Sequence, residues 1–215
     1  MRPPDDLRAA PVTLGIAILT ALAWLIAWVL GWQEAVAVAG GFIPAHVTAP
    51  PGAGPGWPVP VPLTPLTAAL VHSGFVHLIF NLIMLLFCGR STERVLGGRG
   101  IVILYLVGAY AAAAAEYPLH PDSTVPMVGA SGAISALLGA YALLFGRNKV
   151  KVAHPGLATF LNALWLGAAW IVLNILIGFT FETSGLRIAI GAHIGGFIVG
   201  LLLARPLLLL KWRGA

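Results

Sequence analysis

Charge is scarce in this chain of 215 residues: Asp, Glu, Lys and Arg together make up 9%, against roughly 25% in a water-soluble domain of ordinary composition. With 59% hydrophobic residues and a mean hydropathy of +0.94, that scarcity excludes a soluble globular domain and implies a polytopic membrane protein. Cysteine is nearly absent as well. Cys88 stands alone, which excludes an internal disulfide and a cysteine-based metal site and leaves the thiol to ordinary helix packing. Acidic residues number 7 against 12 basic ones, a net charge of +5. The basic residues are spread over short loops instead of gathered on one face, so nucleic acid is not the implied partner. No internal repeat and no soluble segment stands out. Residues 1–215 read as a single all-α membrane domain whose surroundings are the lipid bilayer, with no cofactor and no metal implied.

A hydrocarbon core of roughly 30 Å needs about 20 apolar residues per helix. Six stretches supply them, near 11–32, 72–90, 100–117, 128–146, 158–180 and 187–210. The first reads as a retained span, because its apolar run is too long for a signal peptide and no small-residue cleavage site clearly follows it. Direction comes from Lys and Arg. Arg2 and Arg8, then Arg90, Arg94 and Arg99 after the second span, Arg147, Lys149 and Lys151 after the fourth, and Arg205, Lys211 and Arg213 near the C-terminus fall on one side; Arg187 alone falls on the other. The positive-inside rule therefore predicts six spans with both termini in the cytoplasm. A loop shifted by one span would scramble this division, so the charges also support the count. The outer segment from about 33 to 63 carries Pro44, Pro50, Pro51, Pro55, Pro58, Pro60 and Pro62, a density that predicts turns or extended chain instead of a regular helix.

Polar side chains inside a membrane are costly, so each is a functional candidate, with interhelical hydrogen bonding as the plainer alternative. They are His72, His77 and Asn81 on the second span, Ser131 and Ser135 on the fourth, Asn162 and Asn174 on the fifth and His193 on the sixth. Depth sorts them. At 1.5 Å per residue His77 and His193 lie roughly 8–9 Å below the outer ends of their spans, and Ser131 opens the fourth span from the same side. His77 and Asn81 are spaced i, i+4 and share a helical face. A serine in the turn Gly129-Ala130-Ser131-Gly132 can present a nucleophilic hydroxyl, and His193 on a neighbouring helix can take its proton. Gly191, Gly195, Gly196 and Gly200 on the sixth span and Gly132, Ala136 and Ala140 on the fourth form small faces that admit close backbone approach. A hydrogen bond between Ser131 and His193 requires that closeness. No Asp or Glu is read within the spans to orient His193, so a dyad is expected in place of a triad.

These residues resemble the rhomboid family of intramembrane serine proteases. The resemblance rests on His72 with His77-Leu78-Ile79-Phe80-Asn81, on Glu93-Arg94-Val95-Leu96-Gly97, on Gly129-Ala130-Ser131-Gly132, and on Gly191-Ala192-His193 with Gly196 and Gly200, in that order over about residues 10–210. It implies a six-transmembrane-helix rhomboid-like bundle that hydrolyses a peptide bond in or near transmembrane helices of other membrane proteins. Ser131 would be the nucleophile and His193 its base. The oxyanion would be held by the backbone N–H groups of Ser131 and Ala130 with the side chains of His77 and Asn81. A bacterial inner membrane location with the site opening outward is expected, and no oligomeric state is specified. The fifth span and the loop from about 181 to 187, with Gly178, Thr183, Ser184 and Gly185, are the candidate gate, its aromatic being one of Phe80, Trp165 and Trp170. Two positions depart from the family pattern: Leu63-Thr64 stands where many relatives have Trp-Arg, and Ser135 where some place an aromatic on the base. Competing readings are a rhomboid-like protein that binds client helices without cutting them, and a small transporter. The gathering of polar residues in one leaflet without an inverted repeat counts against the transporter.

Overall fold

The structure, a computed structural model, describes residues 10–49, 59–145, 154–179 and 189–212. They form α1 (Pro11–Val29), α2 (Gln33–Gly40), α3 (Thr64–Ala68), α4 (Phe75–Met84), α5 (Arg90–Glu116), α6 (Ser131–Phe145), α7 (Pro155–Phe179) and α8 (Ile190–Trp212). Among the described residues, four apolar helical runs are long enough to cross a bilayer: Pro11–Val29, Phe75–Leu119, Gly156–Leu173 and Ile190–Trp212; Ser131–Phe145 is apolar but shorter. Large side chains such as Ile18, Leu22, Ile26 and Val29 on α1 and Leu202 and Leu209 on α8 point outward. An apolar exterior of this extent is a lipid-facing surface.

The 45-residue run Phe75–Leu119 would extend about 67 Å if straight. It does not run straight. A wide π turn over Leu85–Gly89 joins α4 to α5, and within α5 the backbone leaves helical geometry at Gly97 (φ 76°, ψ 168°), a combination that only glycine adopts readily. The chain turns back there. One end of the bundle therefore gathers the starts of α4, α6 and α8 with the end of α5: Gly129 lies against His77, Gly132 against Ala112 and Gly191 against Glu116. At the other end Lys211 Nζ of α8 donates to the carbonyls of Arg94 (3.2 Å) and Val95 (2.9 Å) beside Gly97.

Several boundaries differ from the sequence expectation. Helix continues past residue 90 to Gly97, because nothing before that glycine breaks it. His72, expected on the second span, lies in the turn ahead of α4. The outer segment begins with the short helix α2, which is free of proline, while Pro50, Pro51, Pro55 and Pro58 lie outside the described residues. α6 starts at Ser131, later than 128, because the preceding residues are held by an antiparallel bridge between Phe42 and Met127.

α6 is the central element, with Gly132 through Ala140 buried, between α5 and α8. Its contacts are backbone on backbone. A Cβ placed on Gly196 or Gly200 would meet the carbonyl oxygens of Gly132 or Ala136, one on Gly139 would meet that of Phe197, and on the α5 side Gly108 has Ala136 Cβ 2.6 Å from where its own would be. Lipid is as apolar as leucine, so helices gain little by burying large side chains and associate through such close small-residue faces.

Among the described residues two carboxylates are buried in this apolar frame, correcting the expectation that none would be: Glu93 and Glu116, at 4% and 6% exposure. Glu93 closes the start of α1. Its Oε1 accepts from Val12 N (3.0 Å), and its Oε2 from Thr13 N (2.7 Å) and Thr13 Oγ1 (2.6 Å), so an anion meets the positive end of the helix and two N–H groups that have no intrahelical acceptor. Glu93→Ala is expected to cost about 2–3 kcal/mol, read as a lower midpoint of heat-induced loss of helical circular dichroism. An unchanged midpoint would refute this.

Candidate active site

Ser131 is delivered by a turn with little freedom. Met127 pairs with Phe42 through two backbone hydrogen bonds (3.0 and 2.8 Å), and Gly129 N donates to Ala68 O at 2.9 Å. Gly129 takes φ +111°, and a Cβ there would fall 2.6–2.7 Å from His77 Cε1 and Nε2. The turn thus requires glycine twice, for conformation and for space. Ser131 then opens α6, where its N–H has no intrahelical acceptor.

His193 sits in the first turn of α8, 4% exposed. The close approach of Gly196 to Gly132 O fixes α8 against α6 at this level, and Ser131 Oγ lies 2.9 Å from His193 Nε2. Among the described residues no hydrogen bond reaches His193 Nδ1. When Ser131 donates to Nε2, the ring proton is on Nδ1.

The other expected site residues surround the turn. His77 presents its Nε2 edge to Gly129, while its Nδ1 is 3.0 Å from Ser73 Oγ. Asn81, 1% exposed, lies one turn further along α4 and donates from Nδ2 to His77 O at 2.8 Å. The backbone N–H of Ala130 points to His72 Nε2 at 3.4 Å, and the His72 and His77 rings meet edge-on at 5.0 Å. Asn162 is buried on α7. The Asn174 side chain and the loop with Thr183, Ser184 and Gly185 lie outside the described residues.

Two contributions to the site were not foreseen. Trp170, one of three aromatics between which the sequence did not choose, is 2% exposed, whereas Trp165 is 72% exposed. Its ring meets His193 edge-on at 6.0 Å and stacks on Phe80 at 5.5 Å. The second is Glu116 at the end of α5, whose Oε2 accepts from Ala192 N at 3.3 Å and whose Oε1 lies 2.9 Å from His120 Nδ1. Glu116 does not touch the imidazole of His193; it holds the start of the helix that carries it. The signal was present, since Glu116 closes an otherwise apolar run from 101 to 115. Glu116→Ala leaves the Ala192 N–H without its acceptor and is expected to cost about 1–3 kcal/mol, with Glu116→Gln, which keeps an acceptor oxygen, losing less. Thermal midpoints of the two variants test this, and equal losses would refute it.

Comparison with known proteins places these residues in context. The rhomboid domain family model matches residues 63–210. The chain is 33% identical over 141 residues to the rhomboid protease GlpG of Enterobacter sp. (strain 638), covering 64% of this chain and 46% of that protein. It is 35% identical over 143 residues to the rhomboid protease GluP of Bacillus subtilis (strain 168), covering 66% of this chain and 25% of that protein. The matches thus span less than half the length of these relatives.

Proposed function

Because the chain belongs to the rhomboid family, we propose that it is an intramembrane serine endopeptidase that cleaves transmembrane proteins through Ser131 and His193. The observation that carries this reading is the 2.9 Å separation of Ser131 Oγ and His193 Nε2 at the first residue of a helix. Ser131 Oγ attacks the scissile carbonyl carbon while His193 Nε2 takes its proton, and the resulting imidazolium protonates the leaving amine. Water then attacks the acyl-enzyme with His193 again as base. Negative charge on the former carbonyl oxygen is met by the Ser131 N–H and by His77, whose Nε2 carries the proton when Ser73 donates to Nδ1. Asn81 Nδ2, with one hydrogen already given to His77 O, has a second for the oxyanion, and the Ala130 N–H turns from His72 to join it. Such donors are strong in a site from which bulk water is largely excluded.

In this reading the two legs of the Phe75–Glu116 run count as separate spans, which gives six with both termini cytoplasmic and the site opening to the outer side of a bacterial inner membrane. Substrate helices reach Ser131 past α7, and a helical segment must unwind locally before its carbonyl is accessible, which favours small or helix-weakening residues at the cut. The test is cleavage of a transmembrane test substrate by purified protein in proteoliposomes, with Ser131→Ala alongside. Cleavage abolished by that change supports the protease. No cleavage by the wild type, together with failure of a fluorophosphonate to label Ser131, would overturn it in favour of a helix-binding protein without catalytic activity.

A further inference from the structure

Among the described residues the His193 imidazole makes one hydrogen bond, between Nε2 and Ser131 Oγ, and one such contact leaves the ring free to swing about it. What restrains the ring is packing. Trp170 of α7 abuts it at 6.0 Å with an interplanar angle of 61°, and Trp170 is itself tied down. Phe80 stacks on the indole at 5.5 Å and 15°, and Trp170 Nε1 donates to Ser135 Oγ at 2.7 Å. Ser135, fully buried, in turn donates its single hydroxyl proton to Ser131 O at 2.7 Å. The direction of this relay is fixed, because an indole N–H is only a donor and a hydroxyl whose proton is engaged offers only lone pairs. We infer that Trp170 is the positioning residue for His193, with Ser135 as its anchor: the clamp on the base is referenced, through Ser135, to the backbone carbonyl of the nucleophile itself. Ser131 and His193 are thereby connected twice, once by their own hydrogen bond and once through Ser135 and Trp170.

This inference rests on the protease reading, and the experiment separates the two. Trp170→Leu, Trp170→Phe, Ser135→Ala and the Phe/Ala double variant are compared with Trp165→Leu, a control on the exposed side of the same helix. The readouts are kcat and KM for the transmembrane substrate, the rate of Ser131 labelling by a small fluorophosphonate, and the thermal midpoint. Loss of ring positioning without loss of any reacting group is expected to lower kcat and labelling about 30–100-fold in Trp170→Leu with KM within about twofold. Trp170→Phe, which keeps a ring but no N–H, is expected to fall in between. Ser135→Ala, nearly isosteric, is expected to lose about tenfold in the wild-type background and nothing further in the Phe background, since its effect passes through the indole N–H. A change in KM alone, a lower midpoint with unaltered labelling, or an equal Ser135→Ala loss in both backgrounds would overturn the positioning role while leaving the protease intact. A wild type that neither cleaves nor labels would overturn both.

Discussion

His193→Ala is expected to lower turnover of a transmembrane substrate by about 10⁴–10⁶-fold, and Ser131→Ala to do the same, with the double variant no worse than either. The reason is that the two act as one unit. A hydroxyl without a base is not a nucleophile near neutral pH, and a base without the hydroxyl has nothing to deprotonate, so removing the second partner after the first removes nothing more. Initial rates in proteoliposomes at saturating substrate, for the three variants beside wild type, measure this directly. Additive losses, in which the double variant falls well below both singles, would mean that His193 acts on something other than Ser131. The 2.9 Å contact would then be a packing hydrogen bond.

The second large effect is expected at Gly129, which touches no reacting atom. Alanine there must be accommodated at φ +111° with its Cβ 2.6 Å from His77 Cε1, so the imidazole has to leave the turn or the turn has to move away from Ser131. Either removes a donor from the oxyanion, and one such donor is worth roughly 10²–10³ in turnover. His77→Ala removes the same donor without straining the turn and is expected to fall in the same range. The double variant isolates the cause: if Gly129→Ala acts by displacing His77, adding it to His77→Ala costs little. If it acts by displacing Ser131, the double variant loses at least a further tenfold, and cleavage rates with the thermal midpoints of all three distinguish the two.

The meeting of Ser131 and His193 was legible in the sequence because depth along a membrane helix is a simple count, and both lie near the same end of their spans. Their glycine neighbours were legible in part: Gly196 and Gly200 meet the carbonyls of Gly132 and Ala136 as expected, whereas Gly132 itself faces Ala112 of α5, and Gly191 and Gly195 also face α5. The identity of the ring beside the base was not. Apart from Thr159, Asn162 and Asn174, α7 is apolar, and its pattern does not tell which of Trp165 and Trp170 turns inward; helix rotation brings Trp170 to Ser135 and Phe80 on two other helices. Ser135 itself looked like a deficit, a missing aromatic. In the fold it is the acceptor for an aromatic supplied from elsewhere. Glu93 and Glu116 were passed over because each ends or adjoins an apolar run, where a carboxylate reads as a loop residue. What makes them interior is the helix end each one meets, Val12 and Thr13 for the first and Ala192 for the second.

The closest approaches of α6 to α5 and α8 are made by glycine and alanine, residues with no side-chain rotamers to freeze. Ordering them costs no side-chain entropy on folding. Equally, these interfaces have no alternative packing to move into: a glycine against a carbonyl has no second rotamer, whereas interdigitated leucines can trade places. Heat can therefore loosen the leucine-rich periphery without widening the gap between the helices that carry Ser131 and His193. Their spacing is set by the backbone itself.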